Sequence, residues 1–158
     1  MGDLRMLLER LTNAGLDFVV VGAYAAIIHG ASVVTRDIDV CFRFNPENLY
    51  RLRDALADLH PVHRMTPKRL PLELNEENVT KLRNLYLETD AGSIDCLGEI
   101  IAVGDFDAVR SRSVVKKFAF GDVRVLDIDA LLASKSRLNR LQDKLVIPQL
   151  LAIKERKM

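Results

Sequence analysis

The sequence lacks a long apolar run, and this absence limits where the protein can act. No stretch approaches the roughly 18 consecutive apolar residues that a membrane-spanning helix requires. The opening residues MGDLRMLLERL carry acidic side chains in an amphipathic helical pattern and do not have the form of a signal peptide. We therefore expect a protein with a cytoplasmic location and no membrane partner.

Cysteine is scarce as well. The chain holds two cysteines, Cys41 and Cys96, each within an apolar, strand-like stretch. It has no CxxC motif and no cysteine–histidine cluster of the kind that binds structural zinc. We expect both residues to be reduced thiols in the core, which is typical of cytoplasmic proteins.

An excess of charge of one sign is also missing. The 23 Lys and Arg residues nearly balance the 22 Asp and Glu residues, and the net charge is +1 at pH 7. The overall charge therefore does not indicate nucleic acid binding. Basic residues cluster at 110–117 and 135–144. The first cluster reads as a charged hairpin edge, with an RNA-facing patch as the alternative.

Internal repeats and low-complexity linkers are absent, and 158 residues predict a single domain over residues 1–158. Hydrophobic periodicity predicts helices at 4–13, 23–29, 46–59, 106–110, 127–141 and 143–154. Strands are predicted at 16–21, 37–44, 85–89, 93–97, 114–120 and 123–126. The last four strands form two hairpins, with turns at 90–92 and 121–122. Residues 61–78 predict a short strand, a loop and a helical turn.

This order of elements predicts an α+β fold. Early strands separated by helices and later strands in hairpins favour one mixed β-sheet. We expect helices on one face of that sheet and further helices at the C-terminus.

The most informative stretch is residues 18–42, FVVVGAYAAIIHGASVVTRDIDVCF. An apolar strand ends at Gly22, and a second strand contains Asp37 and Asp39 with Ile38 between them. Because side chains alternate along a strand, the two aspartates share one face and Ile38 points to the other. Two carboxylates on one face repel each other, and a divalent cation removes that repulsion.

A third acid, Asp95, lies between the apolar residues Ile94 and Cys96 of a later strand. Carboxylate oxygens are hard ligands that suit Mg²⁺, which also bridges to substrate phosphates. Two such ions can stabilise the attacking and leaving oxygens of an in-line displacement. Gly22 comes just before a predicted helix, where backbone N–H groups can approach phosphate oxygens.

These pieces together resemble a known signature. Gly22–Ala23, a spacer of thirteen residues and the acidic pair of DIDV resemble the nucleotidyltransferase superfamily related to DNA polymerase beta, and Asp95 matches its third acid. The segment HGASVVTRDIDVCF is similar to the minimal nucleotidyltransferases of bacterial toxin–antitoxin systems. Lys135, Arg140 and Asp143 follow a spacing similar to that seen after the sheet in this group.

The resemblance implies a nucleotidyltransferase-like fold and an activity. The reaction would transfer a nucleoside monophosphate from a nucleoside triphosphate to a hydroxyl of a protein, a tRNA or a small molecule, with Mg²⁺ as cofactor. Asp37 and Asp39 would bind the metal ions, while Asp95 would complete the second metal site and help to activate the acceptor hydroxyl. The nucleotide-binding residues would be Gly22, Ala23, Thr35, Arg36, Lys135 and Arg140.

The sequence also departs from the family pattern. Ala23 stands where a second Gly or Ser is usual, and Val33 stands where related sequences often have arginine. One alternative is therefore a catalytically degenerate protein that binds a nucleotide. Another is an interaction protein, the partner of a second protein in a two-gene system, with an interface on the apolar residues of the last helix, Leu145, Ile147, Leu150, Leu151 and Ile153.

Simpler structural explanations exist for several of these residues. Asp37 and Asp39 could be solvent-facing residues of an edge strand. Lys135 and Arg140 could belong to a solvated helix face. His29, at the end of an apolar helix, is expected to be a capping or core residue.

Overall fold

The computed structural model of the protein describes residues 3–157. Its helices are α1 (Leu4–Asn13), α2 (Gly22–His29), α3 (Pro46–Leu56), α4 (Phe106–Ser111), α5 (Ile128–Leu138) and α6 (Leu141–Arg156). Its strands are β1 (Phe18–Val21), β2 (Asp37–Phe42), β3 (Val62–His63), β4 (Asn84–Thr89), β5 (Gly92–Leu97), β6 (Glu99–Ile100), β7 (Gly104–Asp105), β8 (Ser113–Phe118) and β9 (Gly121–Leu126). Short 3₁₀ turns cover Ala57–Leu59 and Asn78–Thr80.

Seven strands form one mixed sheet in the order β3-β4-β5-β2-β1-β9-β8. β2 runs parallel to β5 and β1 runs parallel to β9, whereas the other neighbours are antiparallel. β6 and β7 form a separate two-stranded hairpin. The strand that contains both aspartates is therefore central, and the edge-strand explanation for Asp37 and Asp39 is wrong.

The helices pack on this sheet in two groups. α1 contacts α3, β5 and β9, and the leucines of α3 are fully buried, as are those of α1 apart from the half-buried Leu4. α2 follows β1 and contacts β1, β2, α5 and α6. Asn45 caps α3 by accepting the backbone N–H of Asn48 at 2.8 Å, and Pro46 occupies the first turn, as the sequence predicts. The expected α+β fold is confirmed.

Two local predictions need correction. The turn of the second hairpin lies at Ala119–Phe120 and not at Gly121–Asp122, because Gly121 is already paired with Phe118. Gly121 has φ +140°, so its position in β9 depends on the freedom of glycine. The small β6–β7 hairpin was not predicted, since strands of two residues leave no periodic pattern.

The predictions for the two cysteines and for His29 hold within the described residues. Cys41 and Cys96 are buried free thiols, and His29 is buried with its Nε2 atom 2.8 Å from the carbonyl oxygen of Leu126. None of the helices between residues 3 and 157 has the length and apolar character needed to cross a bilayer. Residues 1, 2 and 158 belong to the predicted single domain but lie outside the described part, and the domain assignment stays a prediction.

Candidate active site

The three predicted acids lie side by side on two parallel strands. The register of β2 and β5 sets Asp37 opposite Ser93 and Asp39 opposite Asp95. The intervening Ile38 is fully buried on the other face, as strand alternation requires. Asp37, Asp39 and Asp95 together line one cavity of 740 Å³. The sequence prediction that these acids converge is thus matched by their placement.

Burial and charge repulsion both act on Asp39, the acid in the middle of this group. Burial, with the neighbouring carboxylates of Asp95 and Asp37, raises the pKa of Asp39 to about 6. The cations Arg140 and Lys135 act in the opposite direction but do not cancel the effect. Because these carboxylates repel one another, a cation that binds beside them would stabilise their ionised forms.

Gly22 allows Asp39 to occupy its position. The backbone of Gly22 has φ +67°, a region that residues with a side chain rarely adopt. A Cβ atom at this position would lie 2.6 Å from Oδ2 of Asp39, well inside contact distance. Glycine is therefore required twice here, once by the backbone and once by the carboxylate.

The remaining predicted residues surround the acids. Ala23, Thr35 and Arg36 line the 740 Å³ cavity, and Gly22 lines a neighbouring cavity of 290 Å³ that shares Asp39 and Asp95 with it. The hydroxyl of Thr35 donates to the carbonyl oxygen of Asp37 at 3.1 Å and accepts the N–H of Asp37 at 3.3 Å. Thr35 therefore fixes the start of β2, whether or not it also meets a phosphate.

A cationic wall faces the acids from α5 and α6. Lys135 and Arg140 line both cavities, and both contact the carboxylate of Asp143. Asp143 is completely buried and accepts bonds from the backbone N–H, Nε and Nη2 of Arg140 at 3.0, 2.8 and 3.1 Å. Lys135 is only 4% exposed, so the solvated-face explanation is wrong for this residue.

Comparison with known proteins fits this geometry. No protein-family model matches the chain, and a search of curated proteins finds no match. A candidate nucleotidyltransferase from Thermotoga maritima superposes with a TM-score of 0.56 at 16% identity, over 94% of this chain and 90% of its own. ANT(2″)-Ia, solved in complex with adenylyl-2″-tobramycin, superposes with a TM-score of 0.53 at 13% identity, over 98% and 97% of the two chains. The chain has a nucleotidyltransferase-like fold.

One residue of this site was not predicted. Arg64 follows β3, and its Nη2 atom lies 2.8 Å from Oδ1 and 2.9 Å from Oδ2 of Asp95. Its Nη1 atom lies 3.8 Å from Oδ1 of Asp37. Oδ1 of Asp95 and Nη1 of Arg64 are buried atoms without a hydrogen-bond partner. The guanidinium of Arg64 therefore contacts Asp95 directly and lies close to Asp37.

A divalent cation such as Mg²⁺ needs oxygen ligands, and carboxylates in this site supply them. Between residues 3 and 157, no three His, Cys, Asp or Glu side chains are arranged to hold one metal ion together. Asp37 and Asp39 nevertheless present two carboxylates to an open cavity, and carboxylate oxygens are the donors that Mg²⁺ prefers. These two residues fit a magnesium ion, whereas Asp95 is already paired with Arg64.

Sequence reasoning missed Arg64 because nothing local marks it. It lies in the segment that had no clear periodicity, 31 residues from Asp95. The pairing of β3 with β4, and of β4 with β5, is what brings it to the acids. A basic residue beside a predicted β-hairpin is too common a feature to signal a site by itself.

Proposed function

We propose that the protein transfers a nucleoside monophosphate from a nucleoside triphosphate to a hydroxyl acceptor, with Mg²⁺ as cofactor. The observation that supports this most strongly is the convergence of Asp37, Asp39 and Asp95 on one cavity, opposite Lys135 and Arg140. A triphosphate needs cations around its phosphates, and a metal needs carboxylates. The two walls of this cavity offer both.

Asp37 and Asp39 would hold Mg²⁺, which when bound offsets negative charge on the phosphates and on the leaving pyrophosphate. In the reaction a bond forms between the acceptor oxygen and the α-phosphorus, and the bond from that phosphorus to pyrophosphate breaks. The acceptor proton would leave towards Asp95, which lines the cavity beside Asp39. In this proposal Asp95 acts on the acceptor.

The cationic wall would bind the pyrophosphate part of the nucleotide. Arg140 and Lys135 line the cavity, and the exposed Arg36 stands at the start of β2, where it could reach phosphate oxygens. Gly22 and Ala23 would let backbone N–H groups at the start of α2 approach the nucleotide. Thr35 would support this position through its bonds to Asp37.

The acceptor could be a protein, a tRNA end or a small molecule. The ligand in the ANT(2″)-Ia complex is a small molecule bearing an adenylyl group, which favours including small hydroxyl compounds among the acceptors tested. The free thiols Cys41 and Cys96 agree with the proposed cytoplasmic location.

The test is transfer of label from each α-³²P-labelled nucleoside triphosphate to the chain itself, to tRNA and to a panel of aminoglycosides. We expect labelled product with Mg²⁺, none with a chelator and none with Asp39→Asn. Asp54→Asn is the matched control, since Asp54 is an exposed acid on α3 that pairs with Arg53. Equal labelling by the wild type and Asp39→Asn would reject the proposal.

A catalytically degenerate nucleotide-binding protein is the second candidate. Ala23 lines the cavity and has no hydroxyl to offer to a phosphate, which favours this alternative. Calorimetric titration with nucleoside triphosphates separates the two candidates. Binding that persists in Asp39→Asn, together with no product from any acceptor, would support the degenerate protein.

A partner protein from a two-gene system is the third proposal. α6 exposes Leu141, Leu145 and Leu151, of which Leu145 also lines the 740 Å³ cavity, whereas Leu150 and Ile153 pack into the core. Co-expression with the product of the adjacent gene, followed by sedimentation analysis, tests it. A monomer that does not bind that product would count against this proposal.

A further inference from the structure

The position of Arg64 determines how much positive charge the acids can still accept. Its guanidinium contacts both oxygens of Asp95 and approaches Asp37, and its side chain is 23% exposed. Three cations line the cavity, and two of them, Lys135 and Arg140, are engaged by Asp143, whereas the third, Arg36, is exposed. Among the described residues, Arg64 is therefore the cation that forms ion pairs directly with Asp37 and Asp95.

The two terminal nitrogens of the Arg64 guanidinium differ in their contacts. Nη2 is held between the two oxygens of Asp95, while Nη1 is buried and has no hydrogen-bond partner. A guanidinium is a fixed positive charge with several N–H donors, and it binds phosphate oxygens well. Nη1 thus places positive charge 3.8 Å from the carboxylate of Asp37, which is also what a second divalent cation would do.

The backbone keeps this arrangement in place. The N–H of Arg64 donates to the carbonyl oxygen of Tyr86 at 2.9 Å, next to the pairing of β3 with β4. The guanidinium carbon lies 5.9 Å from the centre of the Tyr86 ring. Thr66 closes the following turn through bonds to the carbonyl oxygens of His63 and Lys68. Arg64 is therefore positioned by the strand beside β5, and its side chain can be changed while these backbone bonds remain.

We propose that Arg64 takes the place of one of two divalent cations. The chain then binds a single ion through Asp37 and Asp39, while Asp95 is held by the guanidinium and is not a metal ligand. Arg64 is a positioning residue in this arrangement. The inference deepens the proposed transferase activity, and it differs from the two-metal arrangement that the family resemblance implies.

The experiment measures metal binding and needs no turnover. Mn²⁺ serves as the probe, and binding is followed by electron paramagnetic resonance of the free ion up to 10 mM, without nucleotide. We expect one ion per chain for the wild type. Arg64→Gln should bind Mn²⁺ about tenfold more tightly or take up a second ion, because a positive charge next to the carboxylates has been removed. Arg64→Lys keeps the charge and should stay near the wild type.

Arg69→Gln is the matched control. Arg69 lies in the same segment and pairs with Glu88, and its substitution removes the same charge away from the three acids. We expect Mn²⁺ binding to stay within threefold of the wild type. Binding by Arg64→Gln that equals the wild type, or no binding by either protein up to 10 mM, would overturn the proposal.

A double variant keeps the proposal testable should Arg64→Gln not fold. Arg64→Gln with Asp95→Asn removes the guanidinium and its carboxylate together, so the net charge of the site is unchanged. We expect Mn²⁺ affinity within threefold of the wild type, since Asp95 is not a ligand. A loss of tenfold or more would show that Asp95 binds the metal and would overturn the proposal.

The same measurements separate this inference from the proposed function. Tighter Mn²⁺ binding by Arg64→Gln, with no label transfer by the wild type, would support the role of Arg64 and reject the transferase. Label transfer by the wild type, with equal metal binding by both proteins, would do the reverse.

Discussion

The two walls of the cavity use the same kinds of residue with opposite results. On the helix wall, Asp143 is completely buried, and each of its oxygens is bonded to Arg140. On the sheet wall, the contact of Arg64 with Asp95 leaves one atom of each residue buried and without a partner. A buried ion pair with all its bonds made stabilises a local structure, whereas one with bonds left over is open to a ligand. By this criterion the charge of Asp143 is structural, whereas the pair of Arg64 and Asp95 has the features expected of a functional site.

The largest stability effect should come from the helix wall. Asp143→Asn leaves Lys135 and Arg140 without their carboxylate, and we expect the free energy of unfolding to fall by about 3 kcal/mol. Asp129→Asn is the matched control, because Asp129 pairs with Lys154 between the same two helices but on the exposed surface. It should cost less than about 1 kcal/mol. Urea denaturation measures both, and equal losses would show that the burial of Asp143 has no special effect.

Gly22 lies where β1 ends and α2 begins, and its replacement should cause the second-largest loss of stability. Gly22→Ala brings a Cβ atom against Asp39 at a position of positive φ, so we expect a loss of about 2–3 kcal/mol. Gly15→Ala has nearly the same φ, +68°, with open space around the new atom, and should cost about 1 kcal/mol. Thermal unfolding of both variants isolates the clash. If the two losses are alike, the contact with Asp39 does not constrain this position.

His29 is a third case of a buried atom without a hydrogen-bond partner, its Nδ1. Unlike Asp95, it lines neither cavity. Burial lowers the pKa of His29, despite the favourable bond to the carbonyl oxygen of Leu126. The unfolded chain therefore binds a proton more readily, and stability is lost as the pH falls below about 6.5.

We expect the wild type to lose up to about 1 kcal/mol more than His29→Gln between pH 7.5 and pH 5.5. Melting temperatures of both proteins at the two pH values provide the measurement. Parallel losses would mean that His29 does not titrate differently in the folded protein.

The smallest stability effect should come from the residue that matters most for the proposed reaction. Asp39→Asn removes one of three repelling carboxylates, so the free energy of unfolding should stay within about 0.5 kcal/mol of the wild type or rise. The same variant should lower label transfer by about a thousandfold, which is about 4 kcal/mol in the barrier. Asp39→Asn should thus lower activity with little effect on stability, whereas Asp143→Asn should lower stability strongly. A large loss of stability in Asp39→Asn would remove the contrast between the walls.

Much of this arrangement could be predicted from the sequence. The strand that carries Asp37 and Asp39, the helix that follows Gly22 and the burial of the thiols all depend on patterns that span a few residues. Strand alternation alone determined which face of β2 carries the acids. The family resemblance predicted only that Asp95 is the third acid, and the register that sets it opposite Asp39 was not predicted, because strand register is not visible in a local pattern.

By itself, the sequence determined the order of the elements and which side chains could bind metal and phosphate. The tertiary structure alone decided that Arg64 lies on Asp95 and that Asp143 is buried between Lys135 and Arg140. The physical reason is the distance along the chain over which each effect acts. Periodicity and capping act over one or two turns, whereas a charge deep in the fold is defined by strands and helices that meet from distant parts of the chain.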